Sequence, residues 1–316
     1  MTAVEAAALL REQDQILILT HKRPDGDTIG CAVALCAAMR QRGKTAWVLP
    51  NPDATSLFTP YLEGYLAPEG FSPAFVVSVD IAGVGLFPDN AKLWLERGVD
   101  LAIDHHPSNE GFGRENCVEA DKAACGEILY QIALELGELT AEVALPLYVA
   151  VSTDTGCFVY SNTTPNTHRV AAALMEYGDF YRKVNKRCFR TVSLPRLKLE
   201  SLLLAGMEFH DGGAIAIAGL SLDMMTQAGA GEADAEDLAA FAGQIQGVRI
   251  SATLRELSPT RTKISLRTDD SLNATRTCAL LGGGGHAAAA GATVDLPLEQ
   301  ARHAVLDAIR QIQREG

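Results

Sequence analysis

The sequence predicts an α/β protein of two domains, an N-terminal parallel sheet and a smaller C-terminal α/β domain joined by a helical linker. Three observations predict it. The chain has 316 residues, more than one ordinary core takes up. Short Val, Ile and Leu runs alternate with helical stretches through the first half. A second group of strand patterns, followed by helix, glycine run and helix, resumes after a long helical stretch. The expected boundaries are 1–190 for the first domain, 191–210 for the linker and 211–316 for the second domain.

The opening, MTAVEAAALLREQDQ, sets Glu5, Arg11 and Glu12 around an apolar run and reads as an amphipathic helix. It lacks the basic flank and long apolar stretch of a signal peptide. No apolar run approaches the roughly 20 residues that span a bilayer, so a cytoplasmic protein with no membrane partner is expected. Strands follow at 16–20 (ILILT), 45–49 (TAWVL), 74–80 (AFVVSVD) and 99–106 (VDLAIDHH), with helices at about 28–42, 88–97, 122–137 and 140–152. This alternation predicts βαβ units. Several of these strands end in Asp or lead directly into His and Asp. In open parallel sheets ligands bind at the carboxyl ends of the strands, so these endings should converge on one crevice. Residues 165–209 read as mainly helical, with the leucines of SLPRLKLESLLLAGMEF at helical spacing. Strand patterns return at 214–220, 248–257 and 262–268. In VRISATLRE, Val248, Ile250, Ala252 and Leu254 share one face, and Arg249, Ser251, Thr253 and Arg255 share the other. One face is expected to pack and the other to meet a ligand.

Hydrophobic residues make up 47% and charged residues 21%, the composition of a folded globular chain. The net charge of −12 argues against a protein that coats long duplex DNA, because such binding needs many Lys and Arg contacts to phosphate. A small anionic substrate would need local cations, from metals or a few arginines. The seven cysteines form no CxxC pair, so neither a disulfide framework nor a structural zinc site is expected.

Four segments carry the candidate chemistry. THKRPDGDTIG places His21, Asp25 and Asp27 on a turn shaped by Pro24 and Gly26; taken alone, the two carboxylates fit a turn and helix cap equally well. VVSVDIAG ends an apolar strand in Asp80, which alone is weak evidence. LAIDHHPSN sets Asp104, His105 and His106 after a very apolar strand, and metal chemistry is a natural reason for three adjacent titratable groups there. LYVAVSTDTG leads to Asp154. Four carboxylates and two histidines make an inventory for two divalent cations, with Asp104 and His106 left for outer roles. Mixed imidazole and carboxylate donors without thiolates suit Mn²⁺ better than Mg²⁺ or zinc.

In this order, HxxxDxD, a strand-terminal Asp, DHH and a fourth Asp resemble the motifs of the DHH phosphoesterase superfamily. The resemblance implies that His21, Asp25 and Asp80 bind one metal, that Asp27, Asp80, His105 and Asp154 bind the other, and that Asp80 bridges them. It further implies in-line attack on phosphorus by hydroxide held between two metals about 3.5 to 4 Å apart. Asp104 is expected to orient His105, and His106 to contact the phosphate or assist the leaving oxygen. Cys31 stands where small or hydroxyl residues are common in the family, and removes no ligand.

LLGGGGHAAAAG, residues 280–291, resembles the GGGH signature of the DHH-associated C-terminal domain. There Gly283, Gly284, Gly285 and His286, with Arg255 and Arg267, are expected to hold the far end of a very short nucleotide, arginine through its forked donors. The likeness points to small stand-alone enzymes that act as nano-RNases and phosphatases of 3′-phosphoadenosine-5′-phosphate (pAp). A cyclic- or linear-dinucleotide phosphodiesterase is the nearest rival. A catalytically silent nucleotide-binding protein is the rival of another class, and predicts a lost ligand where none is lost. The sequence leaves the preferred substrate and a homodimer open.

Overall fold

The computed structural model describes residues 1–235, 238–269 and 271–315, and the chain divides into two compact units, Met1–Thr191 and Val192–Gly316. Unit 1 opens with α1 (Ala3–Arg11), started by a capping box between Thr2 and Glu5. There follow β1 (Ile16–Leu19), α2 (Gly26–Gln41), β2 (Ala46–Val48), β3 (Phe75–Val79), α3 (Lys92–Arg97), β4 (Leu101–Asp104), β5 (Glu115–Val118), α4 (Cys125–Leu136), α5 (Ala141–Asp154), α6 (Pro165–Met175) and α7 (Phe180–Phe189). The five strands pair in parallel in the order β2-β1-β3-β4-β5. The order reverses between β1 and β3, so the crevice at their carboxyl ends is the ligand position of such sheets.

Successive strand residues feed two cores, as the two-residue period requires. Ile16, Ile18, Val77, Val79, Leu101 and Ile103 pack with α1, α2, α4 and α5. Leu17, Leu19 and Val76 face the other way, onto Ile81, Phe87, Trp94 and Leu95. Helices on one face and turns with α3 on the other cover the sheet, which is why its strands read as near-continuous apolar runs. The edge strand β5 was not expected from the sequence: ENCV is short and polar, and only Cys117 is buried. The helix expected at 88–97 is a 3₁₀ turn, Asp89–Ala91, leading into α3.

Unit 2 comprises α8 (Leu194–Ala205), β6 (Glu208–His210), β7 (Ile215–Leu220), α9 (Leu222–Ala228), α10 (Glu232–Ala235), β8 (Ile250–Ser258), β9 (Arg261–Thr268), α11 (Ala274–Ala279), β10 (Gly284–His286), β11 (Ala289–Val294) and α12 (Leu298–Glu315). Its six strands run in the order β10-β11-β9-β8-β7-β6, with β7 and β8 parallel and the other pairs antiparallel. The stretch expected as a linker, 191–210, holds α8 and β6. Leu199 and Leu203 of α8 pack with Ala218 and Leu220 of β7, so this helix belongs to the core of unit 2. Ile250, Ala252 and Leu254 pack with Val305 and Ile309 of α12, as the alternation in VRISATLRE predicts. The polar face of β8 departs from expectation. Ser251 and Thr253 are buried, and the Thr253 hydroxyl donates to the Leu238 carbonyl at 3.2 Å, so that stretch is covered by the chain itself.

Candidate metal and phosphoester site

Every carboxylate and histidine expected in unit 1 lies at one end of its sheet. His21 follows β1. Asp25 caps α2, its Oδ1 accepting from the backbone N–H of Asp27 (3.0 Å) and Thr28 (3.2 Å). Asp80 follows β3 with φ +58°, a left-handed conformation that a short polar side chain tolerates. Asp104 ends β4, ahead of His105 and His106, and Asp154 ends α5. Asp154 reaches the cluster because α5 lies directly on α2: a Cβ on Gly30 would stand 2.3 Å from the Pro146 carbonyl, and one on Gly26 2.3 Å from the Thr153 hydroxyl. Glycine at both positions lets the helices touch, backbone to backbone at Gly30 and backbone to side chain at Gly26.

The tautomers follow from the carbonyls beside the rings, since a carbonyl only accepts. His21 Nδ1 lies 2.8 Å from the Lys22 carbonyl and His105 Nδ1 lies 3.2 Å from the Lys122 carbonyl. Both rings therefore donate through Nδ1 and present the Nε2 lone pair to the carboxylates. His21 Nε2 is 3.6 Å from Asp25 Oδ1 and 3.7 Å from Asp80 Oδ2. His105 Nε2 is 3.5 Å from Asp80 Oδ1, 3.7 Å from Asp154 Oδ2 and 3.9 Å from Asp27 Oδ2. Three groups with mutual spacings inside 4.8 Å result among the described residues, His21–Asp25–Asp80, Asp27–His105–Asp154 and Asp80–His105–His106, and Asp80 turns one oxygen toward His21 and the other toward His105.

Asp104 corrects one expectation. Its side chain accepts from the ring Nδ1 of His106 at 2.7 Å and, on its other oxygen, from Asn109 at 2.7 Å; it meets only the backbone N–H of His105, at 2.8 Å. The ring that Asp104 orients is that of His106. His106 comes within 3.6 Å of Asp80 through the same Nδ1, a nitrogen already engaged as donor, and its ring remains 41% exposed. This arrangement suits a phosphate contact better than a metal ligand.

Asp27 lies at the start of another helix. Its carboxylate takes the backbone N–H of Cys125 (2.7 Å) and of Gly126 (2.9 Å), the first two residues of α4, and the Cys31 thiol donates to it at 3.2 Å. No side chain of the local N-cap, Ala124, serves α4. A carboxylate at a helix N-terminus is favoured by the unpaired N–H groups and the helix dipole. Asn109, the Lys122 carbonyl and the α4 N-terminus were not foreseen in the sequence, because none carries a motif signal and all act across turns or between distant segments.

The cluster is electrostatically unbalanced. Burial, with the Asp154 charge second, pushes Asp27 up to about 7. Burial and the Asp27 charge raise Asp80 well above the carboxylate range, and burial raises Asp154. Asp80 Oδ1 is buried and accepts no hydrogen bond from any described residue. An orphaned buried acceptor among carboxylates that resist ionisation is the signature of missing positive charge, and divalent cations fit this donor set. At Asp104 burial works upward, but the hydrogen bonds from His106 and Asn109 outweigh it and hold the carboxyl below its usual range. The same bond to Asp104 raises His106.

Known proteins share both halves of this chain. The DHH family N-terminal domain matches residues 15–151, and the DHHA1 domain matches residues 214–315. A Thermus thermophilus protein named bifunctional oligoribonuclease and PAP phosphatase NrnA is 36% identical over 97% of this chain and 92% of its own. The chain belongs to the DHH family. It is a DHH phosphoesterase, and so a hydrolase. A Bacillus subtilis protein of the same name is 26% identical over 75% of this chain and 76% of its own. An exopolyphosphatase-related protein from Bacteroides fragilis has the same fold, with a TM-score of 0.86 over 99% of this chain and 96% of its own at 22% identity.

In the DHHA1 domain the glycine run leads into β10, whose Gly284, Gly285 and His286 form a hairpin with β11. Gly284 pairs with Gly291, Gly285 with Ala290 and His286 with Ala289 across β10 and β11. Glycine and alanine have poor strand propensity, which hides this hairpin in the sequence. Close approach explains the glycines: a Cβ on Gly283 would stand 2.1 Å from the Gly291 carbonyl, and Gly285 has φ +147°. The register continues from Ala289 to Arg267 on β9 and to Ser251 on β8. Directly paired residues share a face, so His286 and Arg267 stand in one row with only the Ala289 methyl between them. Arg255 is on that face too, but its guanidinium is held by Glu232 at 2.5 Å. Among the described residues, no helix is long and apolar enough to cross a membrane.

Proposed function

We propose that this DHH phosphoesterase is a cytoplasmic manganese enzyme that hydrolyses very short oligonucleotides to mononucleotides and pAp to AMP. The observation that carries the reading is likeness to the Thermus thermophilus protein along nearly the whole chain, with every ligand type of the DHH motifs present and clustered. In this reading His21, Asp25 and Asp80 hold one cation, Asp27, Asp80, His105 and Asp154 hold a second, and Asp80 is shared. Cations held there would neutralise the carboxylates, and the chemistry they would supply is polarisation of a phosphoryl oxygen and a water acidic enough to act as nucleophile near neutral pH. The chain does the rest. Asp104, fixed by Asn109, keeps the proton of His106 on Nδ1 and turns Nε2 outward, where the ring in its imidazolium form donates to a phosphoryl or leaving oxygen. The row of His286 and Arg267, with Gly283, Gly284 and Gly285 giving backbone access, grips a terminal phosphate or base; Arg255 joins it on leaving Glu232. A grip on a terminus favours short substrates, in keeping with a net charge of −12.

The test is purified protein with Mn²⁺ or with chelator, offered a 5′-labelled RNA dinucleotide, a long RNA, pAp, cyclic di-AMP and pyrophosphate. Manganese-dependent release of mononucleotides from the dinucleotide, with phosphate from pAp, is the expected result. Turnover of cyclic di-AMP alone would move the protein to signalling-nucleotide hydrolysis. Tight nucleotide binding with no turnover would make it a binding protein.

A further inference from the structure

Helix α7 carries a charge pattern that neither the fold nor the metal site uses. Arg182, Lys183, Lys186, Arg187 and Arg190 lie in nine residues that contain no acid, in a chain with 27 basic residues against 39 acidic ones. Their spacing places all five on one stripe, and all five are exposed, while Val184 is buried beneath. Lys183–Lys186 and Arg187–Arg190 are like charges at i,i+3, and Arg182–Lys186, Lys183–Arg187 and Lys186–Arg190 at i,i+4, a pattern that destabilises an isolated helix. Among the described residues none of the five forms an ion pair with a carboxylate. Two have structural ties: the Arg187 guanidinium donates to the carbonyls of Ser56 (2.8 Å) and Leu57 (3.0 Å), and Arg182 Nε donates to the neighbouring Tyr181 hydroxyl at 3.3 Å. Self-repulsion without internal compensation calls for an external polyanion.

The stripe is also well placed. Asn185 donates to the Tyr148 hydroxyl at 3.1 Å, and the rings of Phe180 and Tyr181 meet the edge of Tyr148 at 6.0 and 6.4 Å. Tyr148 belongs to α5, the helix that ends in Asp154. At the far end of α7, the Arg190 charge acts on Cys157, three residues past Asp154. The stripe is about 12 Å long at 1.5 Å per residue, and it lies on a helix packed against α5, which ends in the candidate ligand Asp154.

We propose that the α7 stripe binds the backbone phosphates of a single-stranded oligonucleotide beyond the bond being cut, so that it selects for chains longer than a dinucleotide. The inference rests on the reading of the substrate as an oligonucleotide. It adds a subsite of four exposed cations without a carboxylate partner among the described residues, Arg182, Lys183, Lys186 and Arg190, that no dinucleotide needs.

The experiment compares the intact chain with an Arg182→Gln/Lys183→Gln/Lys186→Gln variant on a labelled RNA dinucleotide and hexanucleotide, between about 50 and 200 mM salt, the range over which lost phosphate contacts tell most strongly. Arg187 is left alone because of its backbone contacts. The variant should lose about tenfold in kcat/KM on the hexanucleotide at low salt, with a shallower salt dependence, and keep its dinucleotide rate within about twofold. A Lys183→Arg/Lys186→Arg variant, which preserves charge, should behave as the wild type. Equal losses on both substrates, or an unchanged hexanucleotide rate, would overturn the proposal. If the wild type cleaves neither RNA, the functional reading is what fails, and anisotropy of a labelled hexanucleotide decides the stripe separately. Salt-sensitive binding lost in the triple variant supports it, and equal binding by both proteins sinks it. Should the triple variant fold poorly, Lys186→Gln alone, with a smaller loss confined to the hexanucleotide, serves the same purpose.

Discussion

Asp80 concentrates the chemistry of this site in one side chain: it is buried, left-handed, lacks a donor for Oδ1 and faces a histidine with each oxygen. Strain and unpaired charge of this kind persist where function requires them. Asp80→Asn keeps the shape, and asparagine tolerates the left-handed backbone, so the metal-free variant should melt higher than the metal-free wild type. The same change should remove the rise in melting temperature on adding Mn²⁺ and abolish hydrolysis. A variant that melts lower and still responds to Mn²⁺ would contradict this account. Asn109 acts through others, fixing Asp104 and thereby His106. Asn109→Ala should lower kcat by about 10- to 100-fold, the usual effect of losing such a supporting partner. It should also shift the pH profile of kcat, which a merely structural role would leave in place. Residue types were legible in the sequence because ligands must be His and Asp and must sit at strand ends. Which ring Asp104 would orient was not, since neighbouring histidines differ only in where their side chains point.

Among the elements, α2 and α5 decide whether Asp154 meets the other ligands. Gly30→Ala would drive a methyl into the Pro146 carbonyl and the Ala150 side chain, at 2.3 and 2.9 Å. Overpacking of this kind costs about 1 to 3 kcal/mol, so the variant should melt several degrees lower. If the helices separate as expected, Mn²⁺ affinity measured by calorimetry falls as well; undiminished affinity would show that α5 keeps its place by other contacts. At the end of β9, Asp269 is held at about 2, first by the Ser271 hydroxyl and then by the Arg249 guanidinium. A depressed carboxyl contributes stability above its unfolded value, near 3.9, and loses it as pH falls through the folded one. The carboxyl carbon of Asp269 should therefore titrate near pH 2 by NMR in the folded protein, and move toward the ordinary Asp range in Arg249→Gln. Long apolar strands and long helices announced themselves by period. The edge strand β5 and the β10–β11 hairpin did not, because one is polar and short and the other is glycine and alanine.

Each unit of the whole molecule has its own core, and the candidate cation ligands all fall in the first. Cation binding should therefore stabilise residues 1–191 by mass action, about 2.7 kcal/mol at a hundredfold excess over Kd. Hydrogen exchange with Mn²⁺ should show the added protection there and not in 192–315. Uniform protection of both units would point to cation sites outside this cluster. The sequence by itself determined the α/β class, the parallel sheet and the ligand types, because periodicity and the placement of polar residues after apolar strands are local properties. Only the tertiary structure decided that Asp27 serves a helix whose first N–H groups lie 98 and 99 residues away. It alone placed His286 and Arg267 in one row, covered Ser251 and Thr253, and put α8 in the core of unit 2. Each of these depends on which distant surfaces pack together, and the energy of that packing is not written in any one segment.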